Sequence, residues 1–249
     1  MHVLIASHIT PYRLTTLSQA IQSVINAIKY AQSCISLTQN NEIFSIHISY
    51  SYQDTISIEK INELETMIKE YVIINSKNIL INFYRNSQRL LQFEHYKNII
   101  YNEQNKNSFR LNDWIMFQDD DDFSLVTRIA IFFRQLYINY NMISFVSSTY
   151  RFERLMVIPK MPYGNVSNYK DNQMICECPA DFATTFVQVK NLKTFLESNT
   201  HWDNYTDCSF TAYLHNLGNQ IYCKEPLYVI RMRSFSTDEE YLAKTTENT

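Results

Sequence analysis

Four consecutive aspartates, Asp119 to Asp122, are the residues of this sequence whose type and spacing could do chemistry. They directly follow Trp114–Gln118, an apolar run that reads as a buried strand. Alternate residues of an extended segment point the same way, so Asp119 and Asp121 would share one face. Clustered carboxylates repel one another unless a cation lies between them. Their oxygen atoms suit Mg²⁺ or Mn²⁺ held jointly with substrate phosphates.

The other interpretation of the acidic run is a solvated turn that caps the following helix, because Asp is favourable at a helix N-terminus. Its position directly after a buried strand favours a metal site instead. Open α/β sheets bind their ligands at the carboxyl ends of their strands.

The elements that would position this run alternate between strand and helix spacing through the first half of the chain. The strand patterns fall at His2–Ala6, Ile43–Tyr50, Asn78–Tyr84, Trp114–Gln118 and Met142–Ser147. The helical patterns fall at Leu17–Ile28, Ile58–Tyr71, Ser87–Tyr101 and Leu125–Tyr137. This alternation predicts an α/β protein with a mostly parallel sheet that helices flank on both faces.

The pattern changes after about Arg154. The stretch Pro159–Pro179 is rich in Pro, Asn and other polar residues, which predicts a long loop that orders over a bound substrate. Shorter elements follow, with strands at Ala183–Val189, Gln220–Cys223 and Leu227–Arg231 and helices at Leu192–Ser198 and Asp207–Leu217.

Composition excludes several classes of function. A net charge of -3 and a pI near 6.1 argue against a nucleic-acid partner. No apolar run approaches the roughly 18 residues of a membrane span, and Met1–Arg13 lacks the features of a signal peptide. The five cysteines fit free thiols, so we expect a cytoplasmic protein, in the host cytoplasm if the source is viral. With only two glycines, the Rossmann dinucleotide and P-loop motifs are excluded.

The acidic run and three further motifs occur in a defined order. They are Thr10–Arg13 with Leu17–Val24, Asn112–Asp122, Tyr205–Leu214 and Pro226–Ser236. In that order they resemble the first loop and helix, the DXD region, the segment of the catalytic acidic residue and the closing strand of GT-A-fold glycosyltransferases, especially the inverting family-two type. The resemblance spans about residues 2–236.

The resemblance implies a single GT-A-like domain, a Rossmann-related sandwich, over residues 1–236. Residues 1–150 would bind the donor, residues 151–236 the acceptor, and residues 237–249 would form a flexible tail. The implied activity transfers a sugar from a nucleotide-sugar donor, with a UDP-sugar favoured, to a hydroxyl of a glycan or other acceptor. It would need Mn²⁺ or Mg²⁺.

The resemblance also implies residue roles. Asp121 and Asp119 would bind the metal, Asp119 or Asp120 would bind ribose or sugar hydroxyls, and Asp207 would be the general base. Asp203 and Asp181 are the next candidates for the base. The donor pocket would contain Ser7, His8, Thr10, Arg13, Gln92, His95, Arg231 and Arg233.

The sequence departs from the family pattern in three places. The second strand ends in Ile48-Ser-Tyr-Ser-Tyr without an acidic residue, so recognition of the nucleobase must differ. No histidine follows Ile230 where the family often has a metal ligand, and Thr206 replaces the Glu that usually precedes the base. Asp207 could also simply cap a helix that begins at Cys208.

Two other functions stay open. A sugar-nucleotide nucleotidyltransferase shares acidic metal chemistry on an α/β sheet, although its Gly-rich phosphate loop is missing. A non-catalytic carbohydrate-binding protein of GT-A-like fold is the third possibility.

Overall fold

The computed structural model describes residues 1–11, 13–34, 43–75, 78–105, 108–152, 173–176, 182–199, 201–203 and 206–231. The strands are β1 (His2–Ile9), β2 (Phe44–Tyr52), β3 (Ile79–Arg85), β4 (Trp114–Asp119), β5 (Phe123–Ser124), β6 (Ser144–Phe152), β7 (Gln173–Cys176), β8 (Phe186–Gln188) and β9 (Gln220–Arg231). The helices are α1 (Arg13–Cys34), α2 (Ile58–Asn75), α3 (Gln92–Tyr101), α4 (Arg128–Ile138), α5 (Val189–Ser198) and α6 (Thr206–Leu217). Short 3-10 turns occupy Glu103–Asn105 and Phe182–Thr184.

The described strands form one sheet in the order β3-β2-β1-β4-β8-β6-β9-β5, and β7 pairs with β6. Strands β1 to β4 run parallel to one another, and β6 and β9 share their direction. Strands β5, β7 and β8 run antiparallel to their neighbours. The predicted α/β class, with a mostly parallel sheet and flanking helices, is confirmed.

Both faces of the sheet are buried, as the continuous apolar runs of a parallel sheet require. Val3 and Ile5 of β1 belong to a core that includes residues of α1, α2 and α4. Leu4, which points to the opposite face, belongs to a second core with residues of α3, α5 and α6. The helices therefore cover both faces of the sheet. The polar residues lie at the ends of the strands, which are called the amino edge where the parallel strands begin and the carboxyl edge where they end.

Several element boundaries differ from the sequence prediction. Helix α3 begins at Gln92 rather than Ser87, because the Leu91 N–H donates to Oε2 of Glu94 at 2.7 Å and starts the helix there. The predicted strand Ala183–Val189 is a 3-10 turn followed by the three residues of β8, and α5 starts at Val189.

The two short strands predicted at the end of the chain are one strand, β9. It contains Pro226, which lies where the register between β6 and β9 shifts at Ser147 and Ser148. A proline has no N–H to give to a strand ladder, so an irregular position accommodates it without breaking the strand.

Only β7 of the predicted loop Pro159–Pro179 is described, and the predicted tail at 237–249 lies outside the described residues. Among the helices of the described residues, none is long and apolar enough to span a membrane.

Candidate functional site

The acidic run lies at the carboxyl edge of the parallel strands. Asp119 ends β4 and pairs in register with Ala6 of β1, so the aspartates continue from the centre of the sheet. Oδ1 of Asp119 accepts a hydrogen bond from Nε2 of Gln92 at 3.0 Å. Gln92 is the first residue of α3, so this helix contacts the acidic run.

Asp120 is the central charge of this edge and only 3% exposed. Nη1 of Arg13 lies 2.7 and 2.6 Å from its two carboxylate oxygens. The hydroxyl of Ser7 donates to Oδ2 at 2.5 Å. Thr10 accepts the backbone N–H of Arg13 at 3.3 Å and so helps to fix the first residue of α1. Two residues predicted for the donor pocket, Ser7 and Arg13, therefore meet at one aspartate, and Thr10 contacts the backbone of Arg13.

These contacts bear on the predicted role of Asp120. Both of its carboxylate oxygens already accept hydrogen bonds, and the guanidinium of Arg13 compensates its charge. In this arrangement Asp120 positions Arg13 and Ser7 at the edge.

The guanidinium of Arg128 is fully buried and contacts β4, the strand that runs into the acidic run. Its Nη2 donates to the carbonyl oxygens of Phe117 and Ala183 at 3.1 and 2.6 Å. Its Nη1 donates to the side-chain oxygen of Gln118 at 3.4 Å, and its guanidinium lies 4.6 Å from the ring centroid of Tyr228. The charge of Arg128 is thus buried next to the last residues of β4 before the aspartates.

Gln118 and Tyr228 connect this support to the turn itself. Nε2 of Gln118 donates to the carbonyl oxygens of Asp119 and Asp122, each at 3.0 Å. The hydroxyl of Tyr228 accepts the backbone N–H of Asp119 at 3.0 Å. The turn is therefore held in place through its backbone by side chains of β4 and β9.

Sequence analysis missed Arg128, Gln118 and Tyr228. The one available signal was the polar Gln118 inside an otherwise apolar strand, since a buried polar side chain needs partners. An arginine that begins a helix gives no sign in the sequence that it will be buried.

The histidines of the predicted donor pocket both bind serines of β2. Nδ1 of His8 lies 2.9 Å from the hydroxyl of Ser51, and Nδ1 of His95 lies 2.9 Å from the hydroxyl of Ser49. These two serines belong to the segment where the sequence lacks an acidic residue. Burial lowers the pKa of His95 from 6.5 to about 4, with a further lowering by His8, so His95 is neutral at pH 7.

Asp207 is the second residue of α6, half-buried, and its Oδ1 accepts the N–H of Cys208 at 2.7 Å. The helix begins at Thr206 rather than Cys208. The Thr206 hydroxyl accepts the N–H of Asp203 at 2.9 Å, and the Thr206 N–H donates to the Asp203 carbonyl at 3.3 Å. Asp207 therefore lies in the first turn of the helix, where its carboxylate accepts the adjacent N–H. Its role as a general base stays a prediction.

The packing of α6 against α3 brings Asp207 to the side of the acidic run. Phe210, one turn after Asp207, has ring centroids 5.5 Å from Phe93 and 5.9 Å from Phe117. Burial raises the pKa of Tyr96 well above its usual range, and the charges of Asp119, Asp120 and Asp207 raise it further. The carboxylates of the acidic run and of α6 thus both act on the buried Tyr96.

The remaining predicted residues are described in part. Arg231 ends β9 and pairs with Phe152, but only its backbone is described. Arg233 and Asp181 lie outside the described residues.

The carboxylates fit only one kind of metal site. Within the described residues no group of three His, Cys, Asp or Glu side chains could hold an ion. With Asp120 bound to Arg13, the nearby donors are Asp119 and Asp121. This donor set fits Mg²⁺ or Mn²⁺ held by one or two carboxylates and completed by substrate phosphates.

Comparison with known proteins supports the fold. No protein-family model and no curated protein matches the sequence. The structure is similar to residues 1–349 of S. aureus TarS, a GT-A-type glycosyltransferase, with a TM-score of 0.54 and 8% identity. The match covers 92% of this chain and 60% of the TarS chain, so this chain spans somewhat under two thirds of that length.

Two further solved structures are less similar. One is 2-C-methyl-D-erythritol 4-phosphate cytidylyltransferase from Francisella tularensis, with a TM-score of 0.42, 10% identity and 98% of each chain covered. The other is a 4-diphosphocytidyl-2C-methyl-D-erythritol synthase, with a TM-score of 0.41 and 10% identity, covering 98% of this chain and 97% of that one. The similarity to TarS supports a GT-A-like α/β fold for this chain.

Proposed function

We propose that this chain is a metal-dependent glycosyltransferase that moves a sugar from a nucleotide-sugar donor to a hydroxyl of a glycan or other acceptor. The observation that carries the proposal is the carboxyl edge of the sheet, where Asp119 to Asp121 lie beside Arg13 at the start of α1. Carboxylates that can share a cation with phosphates, next to a helix N-terminus, form a site for a diphosphate. The GT-A-like fold supports this reading.

The donor would lie across the ends of β1 and β4. Ser7, Arg13 and the first turn of α1 would face the diphosphate, while Gln92 holds Asp119 in place. Mn²⁺ or Mg²⁺ held by Asp121 and Asp119 would supply neutralisation of the phosphate charge. Arg231 and Arg233 are proposed to add cationic groups for the leaving diphosphate.

The proposed reaction is a single displacement that inverts the anomeric centre. The acceptor oxygen bonds to the anomeric carbon, the bond from that carbon to the diphosphate oxygen breaks, and the hydroxyl proton passes to Asp207. A carboxylate that accepts this proton makes a weak alcohol nucleophile effective. Asp207 suits the role because its helix packs against α3, which also contacts the acidic run.

The proposal is tested by thermal unfolding of the full chain with UDP, GDP or dTDP, each with and without Mn²⁺. We expect stabilisation that requires Mn²⁺ and is largest with UDP. A ligand at 100 times its Kd adds about 2.7 kcal/mol to the free energy of unfolding. Asp121→Asn should abolish the Mn²⁺ dependence, whereas the same substitution at the opposite edge, Asp113→Asn, should keep it.

The other outcomes identify the alternatives. Stabilisation by nucleoside triphosphates alone would favour a nucleotidyltransferase. If no nucleotide stabilises the protein with or without Mn²⁺, the transferase proposal is wrong, and a non-catalytic carbohydrate-binding role is favoured.

A further inference from the structure

His95 is bound on one side of its ring by a small polar network. Its Nδ1 lies 2.9 Å from the Ser49 hydroxyl and 3.3 Å from Nδ2 of Asn86. Nδ2 of Asn86 also donates to the Ser49 hydroxyl at 3.0 Å and to the Tyr50 carbonyl at 3.1 Å. Oδ1 of Asn86 accepts from Asn98 at 2.5 Å, which fixes the orientation of the amide.

We assign the tautomer of His95 from this network. The two hydrogens of Asn86 Nδ2 serve the Ser49 hydroxyl and the Tyr50 carbonyl, so the hydrogen of Ser49 is available for Nδ1 of His95. Nδ1 is then the acceptor of the Ser49 hydroxyl. A neutral imidazole carries its single hydrogen on the other nitrogen, so Nε2 of His95 is a donor. Burial keeps the pKa of His95 low, at about 4, so the ring is neutral at pH 7.

The Nε2–H of His95 has no acceptor within the described residues, although the side chain is only 2% exposed. A buried donor without an acceptor costs roughly 1–3 kcal/mol, so native proteins rarely contain one. The two ring nitrogens point in nearly opposite directions, and Nε2 therefore faces away from Ser49 and Asn86. Ser49, which binds the ring, pairs in register with Ala6 of β1, and Ala6 pairs with Asp119, so His95 lies near the acidic run.

The Nε2–H group of His95 is uncharged, and this restricts which part of a nucleotide it can bind. A phosphate carries negative charge and is better matched by Arg13 and a metal than by an uncharged N–H in a desolvated position. A ring carbonyl of a nucleobase is uncharged and accepts one hydrogen bond. Uracil, thymine, cytosine and guanine have such a carbonyl, and adenine has none.

We propose that the Nε2–H of His95 donates a hydrogen bond to a ring carbonyl of the donor's nucleobase, which makes the site selective against adenine. This inference rests on the proposed function. It explains why Ser49 and Ser51 occupy the end of β2, where an acidic residue was expected: each serine holds a histidine instead.

The test measures UDP and ADP binding to the full chain by calorimetry in the presence of Mn²⁺. We expect wild type to bind UDP at least about tenfold more tightly than ADP, which corresponds to 1.4 kcal/mol. His95→Phe fills the volume without a donor and should weaken UDP binding about tenfold while leaving ADP binding unchanged. His95→Gln places an amide N–H near the same point and should restore part of the selectivity.

The matched control is His47→Gln, which replaces a buried histidine at the opposite edge and should keep the preference for UDP. Equal weakening of UDP and ADP by His95→Phe would overturn the inference, as would equal affinities in wild type. If His95→Phe does not fold, the ratio of UDP affinity to ADP affinity in wild type and in His95→Gln still tests the inference. UDP binding without a role for His95 would leave the proposed function standing, whereas absence of all nucleotide binding would overturn both proposals.

Discussion

Two buried histidine networks lie at opposite edges of the same sheet, and they differ in how completely their hydrogen bonds are used. At the amino edge, Asn105 donates to the Tyr84 hydroxyl at 2.7 Å, and Tyr84 donates to Nδ1 of His47 at 2.9 Å. His47 then donates to His2 at 3.2 Å, and His2 donates to Asp113 at 3.2 Å. Each neutral ring uses one nitrogen to accept and the other to donate.

The carboxyl edge contains the opposite arrangement. His95 is as deeply buried as His2, but its Nε2–H finds no acceptor among the described residues. Asp120 and Arg13 form a buried ion pair next to it. A complete network stabilises the fold on its own, whereas an incomplete one beside charged groups indicates a place for a ligand. Histidine content and burial alone would not have separated the two edges.

The largest effect that should separate the edges is on catalysis. We expect Asp207→Asn to lower the transfer rate by 10²–10⁴-fold, about 3–5 kcal/mol, because an amide cannot accept the acceptor's proton. Donor binding should be unchanged. Transfer assays at saturating donor check this, with Asp113→Asn as the control from the amino edge. Full activity in Asp207→Asn would contradict the base role and direct attention to Asp203.

The next effect concerns stability at the carboxyl edge. Asp120→Asn removes the negative partner of Arg13 and should lower the free energy of unfolding by about 3 kcal/mol, because a buried cation is left without its counter-charge. Asp113→Asn should cost less than about 1 kcal/mol, since the amide oxygen can still accept from His2. Urea unfolding of both variants compares the edges directly, and equal losses would contradict the distinction.

A pH dependence of stability should come from both edges, through His95 at the carboxyl edge and, for the larger part, through the two histidines of the amino edge. Burial lowers the pKa of His2 from 6.5 to about 4 and that of His47 to about 3, and the N-terminal ammonium lowers both further. Asp113 opposes this at His2. The unfolded chain therefore binds more protons below pH 6.5, so stability is complete above that pH and falls as the pH decreases toward 4.

We expect the two histidines of the amino edge together to lower the free energy of unfolding by about 4 kcal/mol at pH 5 relative to pH 7, roughly 2 kcal/mol from each. His47→Gln should flatten this dependence, because it removes the more strongly shifted group. Urea titrations at several pH values measure the slope. A slope that survives unchanged in a His2→Gln, His47→Gln double variant would show that the dependence arises elsewhere.

The smallest effect is at Asp121, which is half-buried in the acidic run. In the absence of metal, Asp121→Asn should raise the free energy of unfolding by a few tenths of a kcal/mol, because it relieves repulsion between neighbouring carboxylates. The gain should disappear when Mn²⁺ is added, since the metal then stabilises only the wild type. Destabilisation of the metal-free variant would indicate that Asp121 has a structural role.

The sequence was sufficient for the elements that bury apolar residues with a clear period. The alternation of strands and helices from β1 to β6 follows from spacing alone, because the period differs between a strand and a helix. The position of the aspartates was equally accessible, since a buried strand that runs directly into charge must end at an edge. Local contacts, such as that between Leu91 and Glu94, shifted boundaries that apolar periodicity could not define.

Partners remote in sequence had to be supplied by the tertiary structure. Asp120 and Arg13 are 107 residues apart, and the sequence allowed either aspartate to bind sugar hydroxyls until the fold paired one of them with a guanidinium. Arg128 became a buried support only because the strands around it close over its charge. The sequence identified which residues could act at this edge, and the three-dimensional arrangement decided which hydrogen bonds were already made and which donor was left for a ligand.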